Sequence, residues 1–252
     1  MATIAVGDVH GNYPALASLL QRIEPELTRG DTLVFLGDYI DRWPFSRECV
    51  ERIVELKRNA SFRVVALLGN HEEWMIRTMR DYTRHSWLLN LEALDTIASY
   101  SRAAAELLRK EMEEAGPRLI TEPPRLSYEA FFSSLPASHV EFFEVLLPFF
   151  QSPDVICVHA GLDPDVSLDE QDIRDLVWGC SSFPERYRGA LPVVYGHWGN
   201  CELDERRWPR PRVVNGTYGI DSIKTGVLTA MRFPDGAVFQ SERCSLPASR
   251  WS

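Results

Sequence analysis

The sequence has no cysteines at metal-binding or disulfide spacing, no uninterrupted long apolar run and no surplus of positive charge. Its five cysteines, Cys49, Cys157, Cys180, Cys201 and Cys244, are odd in number, lie far apart and form no C-x-x-C pair. That pattern argues against a disulfide framework and fits free thiols in a reducing compartment, so a cytoplasmic protein is expected. The stretch from Val140 to Phe150 is interrupted by Glu141, Glu144 and Pro148, and Met1 to Asp8 carries neither a basic segment nor a long apolar one. Neither a membrane span nor a signal peptide is therefore expected. With 27 basic against 36 acidic side chains, the formal net charge is -9. A polyanion would be repelled over most of such a surface, which argues against nucleic acid and anionic membranes as partners.

The 252 residues, 45% apolar, suffice for one large domain. The expected organisation is a single domain over residues 1–252 with a helical insert at about 80–151. Short apolar runs at Ile4 to Val6, Thr32 to Leu36 and Val64 to Leu68 suit strands inside a sheet. Between them Leu16, Leu19, Leu20 and Ile23, then Val50, Ile53 and Val54, fall at helical spacing after Pro14 and Pro44. The alternation predicts an α/β fold built on strand-helix-strand units. From about Glu72 to Gln151 helical patterns dominate, as in Ala103 to Leu108 and Phe142 to Leu147, divided by a proline-rich hinge at Pro117 to Pro124. Strand patterns return at Val155 to Val158, Val193 to Tyr195, Arg212 to Asn215 and Gly226 to Arg232. The last two are expected to pair with Ala237 to Gln240 through a turn at Pro234-Asp235-Gly236.

Five segments hold nearly all the chemically informative polar residues: Gly7-Asp8-Val9-His10-Gly11, Gly37-Asp38-Tyr39-Ile40-Asp41-Arg42, Gly69-Asn70-His71-Glu72, Val158-His159-Ala160-Gly161 and Tyr195-Gly196-His197. Each lies at a strand end, where open α/β sheets place their sites. Four of the six histidines fall in these segments, and His85 and His139, in the helical region, are read as ordinary surface histidines. One such segment would be explained by turn-forming Gly, Asp and Asn. Five in this order point instead to a metal centre. Carboxylate, imidazole and amide oxygen together suit Mn, Fe or Zn better than Ca or a thiolate site. An extended strand end would turn Asp8 and His10 to one side, where they share one ion. Asp38 has two oxygens with which to bridge two ions, and Asn70, His159 and His197 complete the second.

The five segments resemble the PPP-type metallophosphatases, the calcineurin-like phosphoesterases that include serine/threonine protein phosphatases and symmetrical dinucleoside tetraphosphate hydrolases. Their pattern is G-D-x-H-G, G-D-x-x-D-R-G, G-N-H-E, H-A-G and G-H. Trp87 to Asn90, Thr96 to Tyr100, Leu135-Pro136, Gln171 to Trp178 and Ile220-Asp221 to Leu228-Thr229 look like the bacterial and phage protein-phosphatase branch. The resemblance implies a metallophosphoesterase-type β-sandwich flanked by helices, with a helical cap, and two divalent ions, Mn foremost, with Fe, Zn or Ni as alternatives. It assigns Asp8, His10 and Asp38 to the first ion and Asp38, Asn70, His159 and His197 to the second. It makes His71 the acid that protonates the leaving oxygen, held by Asp41, and it gives Arg42, with Asn70, the phosphate oxygens to bind. A metal-bridging hydroxide would attack directly, with no covalent phosphoenzyme.

The implied function is a hydrolase of phosphomonoesters, first a serine/threonine or dual-specificity protein phosphatase acting on phosphorylated protein, peptide or a small phosphoester. The alternatives are a symmetrical dinucleoside tetraphosphate hydrolase and a catalytically silent, metal-stabilised scaffold. Three departures bear on specificity. Trp43 replaces the glycine that follows the family's arginine, which places a ring beside the phosphate clamp where it contacts substrate or packs the loop. The branch's Leu-Trp-Ile-Arg, which supplies a second phosphate-binding arginine, is here Val177-Trp178-Gly179-Cys180, with Arg174, Arg186, Arg188 and Lys224 as the available replacements. The I-D-T-G segment is altered to Ile220-Asp221-Ser222-Ile223.

Overall fold

The first three strands lie on the short apolar runs of the amino-terminal third. In the computed structural model, which describes residues 1–90 and 92–245, these are β1 (Thr3–Val6), β2 (Thr32–Phe35) and β3 (Arg63–Ala66). Helix α1 (Tyr13–Ile23) joins the first two, with Asn12 accepting from the Ala15 amide at 3.2 Å as its N-cap and Pro14 in the first turn. Helix α2 (Ser46–Asn59) joins the second pair. The α1 residues Leu16, Leu19, Leu20 and Ile23 are all buried, each contributing ~2 kcal/mol relative to exposure.

A helical stretch follows: α3 (Asn70–Arg80), α4 (Ser86–Asn90), α5 (Ala93–Tyr100), α6 (Arg102–Ala115), α7 (Arg118–Thr121), α8 (Glu129–Phe132) and α9 (Ala137–Glu144). The segment expected as a hinge, Pro117 to Pro124, contains the single turn of α7. Then come β4 (Phe149–Gln151), β5 (Ile156–Val158), α10 (Ile173–Trp178), β6 (Val193–Tyr195), β7 (Glu202–Leu203), β8 (Pro209–Arg210), β9 (Arg212–Val214), β10 (Thr217–Gly219), β11 (Thr229–Phe233) and β12 (Val238–Gln240).

The strands make two five-stranded mixed sheets, β12-β11-β1-β2-β3 and β4-β5-β6-β10-β9, beside the small ribbon β7-β8. In the first sheet β1, β2 and β3 are parallel; in the second β5, β6 and β10 are. Successive side chains point to opposite faces of a strand. Ala5, Val34, Leu36 and Val65 accordingly meet Cys157, Val194 and Ile220 between the sheets. Ile4, Val6, Leu33 and Phe35 face outward onto α1, α2 and the helical stretch, through Trp87, Ile97, Leu108, Phe131 and Phe142. Val158, Val193 and Tyr195 pack on Leu176, Phe183 and Tyr187 on the other side. The result is the α/β sandwich flanked by helices that the sequence predicts.

The sheets meet where Leu67 and Leu147 form a parallel bridge: Leu147 donates to the Ala66 carbonyl at 3.1 Å, and Leu68 donates to the Leu147 carbonyl at 2.8 Å.

Two expectations are corrected. Only Gly226 to Arg232 contributes a partner for Val238–Gln240, as β11; Arg212 to Asn215 supplies β9, which pairs with β10 in the other sheet. His85 and His139 are buried rather than on the surface. His85 bridges the Tyr128 hydroxyl at 3.0 Å and the Pro124 carbonyl at 2.9 Å, and His139 bridges the Tyr100 hydroxyl at 2.8 Å and Glu51 at 2.9 Å. Satisfied on both ring nitrogens, they are polar pins within the helical stretch.

Candidate active site

Each of the five polar segments begins within three residues of the carboxyl end of a parallel strand: Asp8 after β1, Asp38 after β2, Asn70 at the start of α3 after β3, His159 after β5 and His197 after β6. Both sheets thus deliver side chains to one seam. His159 Nδ1 lies 2.9 Å from the Leu36 carbonyl, and the His197 amide donates to both Asp8 oxygens, at 3.1 and 2.9 Å. Asp8 and His10 do come together, 3.8 Å apart, but not as alternating residues of an extended strand. His10 has φ 48°, so a left-handed turn makes the approach.

Eight non-glycine residues among those described have positive φ, and five are His10, Asp38, Asp41, Arg42 and His197. Such backbone is costly and persists where surrounding structure over-determines it. Here Glu72 supplies part of that determination. Its buried carboxylate accepts from the amides of Asp38 at 2.9 Å, Tyr39 at 2.8 Å and Ile40 at 3.3 Å, which holds the loop after β2. A Cβ on Gly69 would stand 2.2 Å from Asp38 Oδ1, and one on Gly196 would stand 2.0 Å from Asp8 Oδ1. Only glycine lets the carboxylates approach this closely.

Asp38 is common to two clusters of ligand atoms. One comprises His10, Asp38 and His71; the other Asp38, His159 and His197. His10 Nε2 is 3.5 Å from Asp38 Oδ2, and His159 Nε2 is 3.4 Å from Asp38 Oδ1. Each imidazole is aimed by its far nitrogen, His10 Nδ1 on the Ile40 carbonyl at 3.1 Å and His159 Nδ1 on that of Leu36. Asn70 Oδ1 lies 3.1 Å from His159 Nε2 and 2.8 Å from His197 Nδ1; turned over, the amide would place its nitrogen 3.1 and 3.3 Å from the Asp38 oxygens.

A cation fits this arrangement. His10 Nε2 is buried without a hydrogen-bond partner, and the buried carboxylate of Asp8 is repelled by those of Asp221 and Asp38, with Arg42 offsetting only part of it. Burial lowers the pKa of His10, His159 and His197, the last to about 3. All three are therefore neutral imidazoles, the form that binds a metal. Burial raises the Asp8 carboxyl, with Asp221 and Asp38 adding to it, and that repulsion is what a divalent ion relieves. Burial would also raise Asp38; with His10, His159 and His197 neutral, it is His71, the one histidine of the group whose pKa is raised, that opposes burial and favours the ionised carboxylate.

His71 differs from the other three. Burial opposes its charge, but Asp38 and Asp41 prevail and its pKa is raised. Its Nδ1 lies 2.7 Å from Asp41 Oδ2, which leaves Nε2 toward Asp38 at 3.9 Å. Asp41 in turn accepts from Trp87 Nε1 at 2.9 Å and from Thr96 Oγ1 at 2.6 Å. Arg42 Nη1 is buried with no partner, beside a set of carboxylates, and is a donor ready for an anion.

A family model described as calcineurin-like phosphoesterase matches residues 1–198. The chain belongs to the calcineurin-like phosphoesterases. Its five segments are those of the PPP-type metallophosphatases, and it is a metal-dependent hydrolase of phosphoester bonds. A Bacillus velezensis relative called bis(5'-nucleosyl)-tetraphosphatase PrpE [asymmetrical] is 25% identical over 93% of this chain and 90% of its own. One from Methylobacillus flagellatus called bis(5'-nucleosyl)-tetraphosphatase, symmetrical, is 26% identical over 99% and 74%. The crystal structure of a cold-active protein-tyrosine phosphatase from a Shewanella species superposes with a TM-score of 0.54 at 16% identity, covering 96% of this chain and 80% of that one, which shows the fold.

Within this phosphoesterase site, several residues stand apart from the sequence expectations. Trp43 is 3% exposed and leaves no ring face for a substrate, so it packs its loop. Tyr39 is likewise buried, its hydroxyl donating to the Leu67 carbonyl at 2.7 Å. Trp198, 53% exposed, stands over His197 with ring centroids 4.6 Å apart. Cys180 lies beside Ser182, at 3.1 Å, and near Asp163 and Asp175. Of the cations considered as a second clamp, Arg186 pairs with Asp165 and Arg188 donates to the Glu185 and Tyr187 carbonyls, whereas the exposed Lys224 lies along Gly199, two residues past His197. Glu72, Trp87, Thr96 and Asp221 support the site without having been singled out for it. Of these, only Glu72 and Asp221 lie in segments that resemble family motifs at the centre itself.

Proposed function

We propose that this chain hydrolyses dinucleoside polyphosphates, with bis(5'-nucleosyl) tetraphosphate as the type substrate. The observation that carries a phosphoryl-transfer site is the shared carboxylate of Asp38, placed between two buried imidazole clusters and flanked by the His71–Asp41 pair and the unpartnered Arg42 guanidinium. The names of the two relatives matched along nearly the whole chain favour a dinucleotide over the phosphopeptide expected from the motifs.

In this reading Asp8, His10 and Asp38 hold one divalent ion and Asp38, Asn70, His159 and His197 the other, with Mn the leading metal. The ions supply Lewis acidity toward the phosphoryl oxygens and the attacking water. Arg42 and Asn70 bind the non-bridging oxygens and orient the phosphoryl group. His71, kept protonated by Asp38 and Asp41, gives its Nε2 proton to the leaving phosphate oxygen. Residues 80–151 act as an insert within a single domain and wall the site through Trp87 and Thr96.

Metal-stripped and Mn-reconstituted protein, assayed on bis(5'-adenosyl) tetraphosphate, an aryl phosphate and phosphopeptides, tests the proposal. Metal-dependent cleavage of the dinucleotide is expected. ADP alone marks a symmetrical cut; ATP with AMP marks an asymmetrical one. Phosphopeptide turnover without dinucleotide cleavage would overturn the proposal in favour of a protein phosphatase.

A further inference from the structure

A cleft of about 690 Å³ lies between the far end of α3 and helices α4 and α7, a volume within the usual range for small-molecule sites. Its lining includes Trp74, Arg77, Arg84, Leu89, Asn90 and Ile120, and among the described residues it holds two arginines and no carboxylate. In a chain of net charge -9 both guanidiniums line one cleft, each beside a carboxylate of its own segment.

The cleft is coupled to the catalytic seam through α3. Asn70 opens that helix, Trp74 stands one turn on, and Arg77 two turns on, ~10 Å along the axis at ~1.5 Å per residue. The Trp74 ring packs on Trp178 with centroids 4.7 Å apart, and Trp178 meets His197 edge-on at 6.3 Å. Trp74 is therefore one ring removed from the second cluster.

The lining chemistry matches a nucleotide. Arg77 and Arg84 are about half exposed and engaged only by carboxylates on their own segment, Glu73 and Asp81. The Arg84–Asp81 pair is exposed and holds weakly, so that guanidinium can turn to a phosphate with little loss, whereas Arg77 is anchored on the largely buried Glu73 and would meet a phosphate with its remaining N–H groups. Trp74 offers a ring for a base, Leu89 and Ile120 give apolar walls that are otherwise exposed at 39% and 77%, and Asn90 brings an amide able to meet a base edge or ribose.

We infer that this cleft binds the nucleotide half of the substrate distal to the scissile phosphate, an inference that rests on the dinucleotide reading above. It also accounts for the missing second arginine: cations on α3 and just before α4 take the distal phosphates in place of a cation at Cys180.

The test uses full-length, metal-loaded protein as wild type, Arg77→Ala and Arg77→Ala/Arg84→Ala. Aryl-phosphate turnover is measured with ATP as competing ligand and with inorganic phosphate as control, and bis(5'-adenosyl) tetraphosphate cleavage is followed in parallel. Loss of one charge-assisted phosphate contact should raise the ATP inhibition constant roughly tenfold, and further in the double variant. The constant for inorganic phosphate should move far less, and the loss on the dinucleotide should fall mainly on KM. Equal ATP inhibition in all three proteins would overturn the cleft as a nucleotide site, whether or not the dinucleotide is cleaved. The expected ATP pattern without dinucleotide cleavage would keep the nucleotide site and overturn the reaction.

Discussion

Trp87 Nε1 donates to Asp41 Oδ2, at 2.9 Å, and that same oxygen lies 2.7 Å from His71 Nδ1. One carboxylate oxygen thus links a helix of the 80–151 segment to the proposed acid. Trp87→Phe keeps most of the ring volume and removes the donor. It should cost about 2 kcal/mol of stability, the usual worth of a buried hydrogen bond to a charged group, and should lower kcat more than it raises KM. Thermal melts and steady-state kinetics on one substrate check both parts.

Replacing the acid itself has a leaving-group signature. His71→Asn should lower kcat on an alkyl phosphate by roughly 100-fold to 10,000-fold. The loss on p-nitrophenyl phosphate should be smaller, because that leaving group departs without a proton. Equal losses on both would show that His71 positions groups rather than donating the proton.

Removing metal should act on stability as well as on turnover. A chelator should abolish activity and lower Tm, and added Mn should restore both, since ions that bind only the folded form stabilise it by mass action. Elemental analysis beside differential scanning fluorimetry provides the measurement. His159→Ala should halve the bound metal and reduce the Mn-dependent rise in Tm.

Glu72 bonds three successive amides of the loop that carries Asp38. Glu72→Ala leaves those buried donors unpaired, at about 1–3 kcal/mol each before relaxation, so the protein should be strongly destabilised and bind metal poorly. Glu72→Gln keeps one acceptor oxygen and should recover part of the loss. Urea denaturation of the two variants gives the ranking.

Acid sensitivity has a local contributor away from the site. The Asp31 carboxylate takes hydrogen bonds from the Ala2 amide at 2.6 Å and from the Thr28 hydroxyl at 2.7 Å, and these lower its pKa. A carboxylate depressed by folding stabilises the fold above its unfolded value of ~3.9, and the contribution is lost as pH falls through the folded value. Asp31→Asn should therefore be less stable than wild type at pH 7, with the gap narrowing below about pH 4 in chemical denaturation.

The sandwich and its seam were legible because their signals are local. Ile4 to Val6 or Val193 to Tyr195 reads as a strand from its own residues, and each Gly-Asp or Gly-Asn pair marks the turn that follows. What depends on distant partners was not. His139 looks like a surface histidine until Glu51 is found beside it, 88 residues earlier in the chain. Trp87 and Thr96 meet Asp41 across 46 and 55 residues. The fate of Trp43 turned on burial, which no motif encodes. Arg212 to Asn215 pairs with β10 because the nearer turn at Asn215-Gly216 competes with the one at Pro234-Asp235-Gly236.

The two clusters around Asp38 also differ in when they can exist. His10, Asp38 and His71 are all present once the first 71 residues have been synthesised. The contacts of Asn70 with His159 and His197 close loops of 89 and 127 residues, and the second awaits nearly four-fifths of the chain. On the ribosome, then, the residues of the first cluster are synthesised before those of the second, although the sheet that carries them is completed only when β11 and β12 follow His197. A chain stalled or cleaved in the helical stretch would carry half a centre, incapable of hydrolysis. With the proposed ligands distributed over both sheets, catalytic competence would report that synthesis has passed His197.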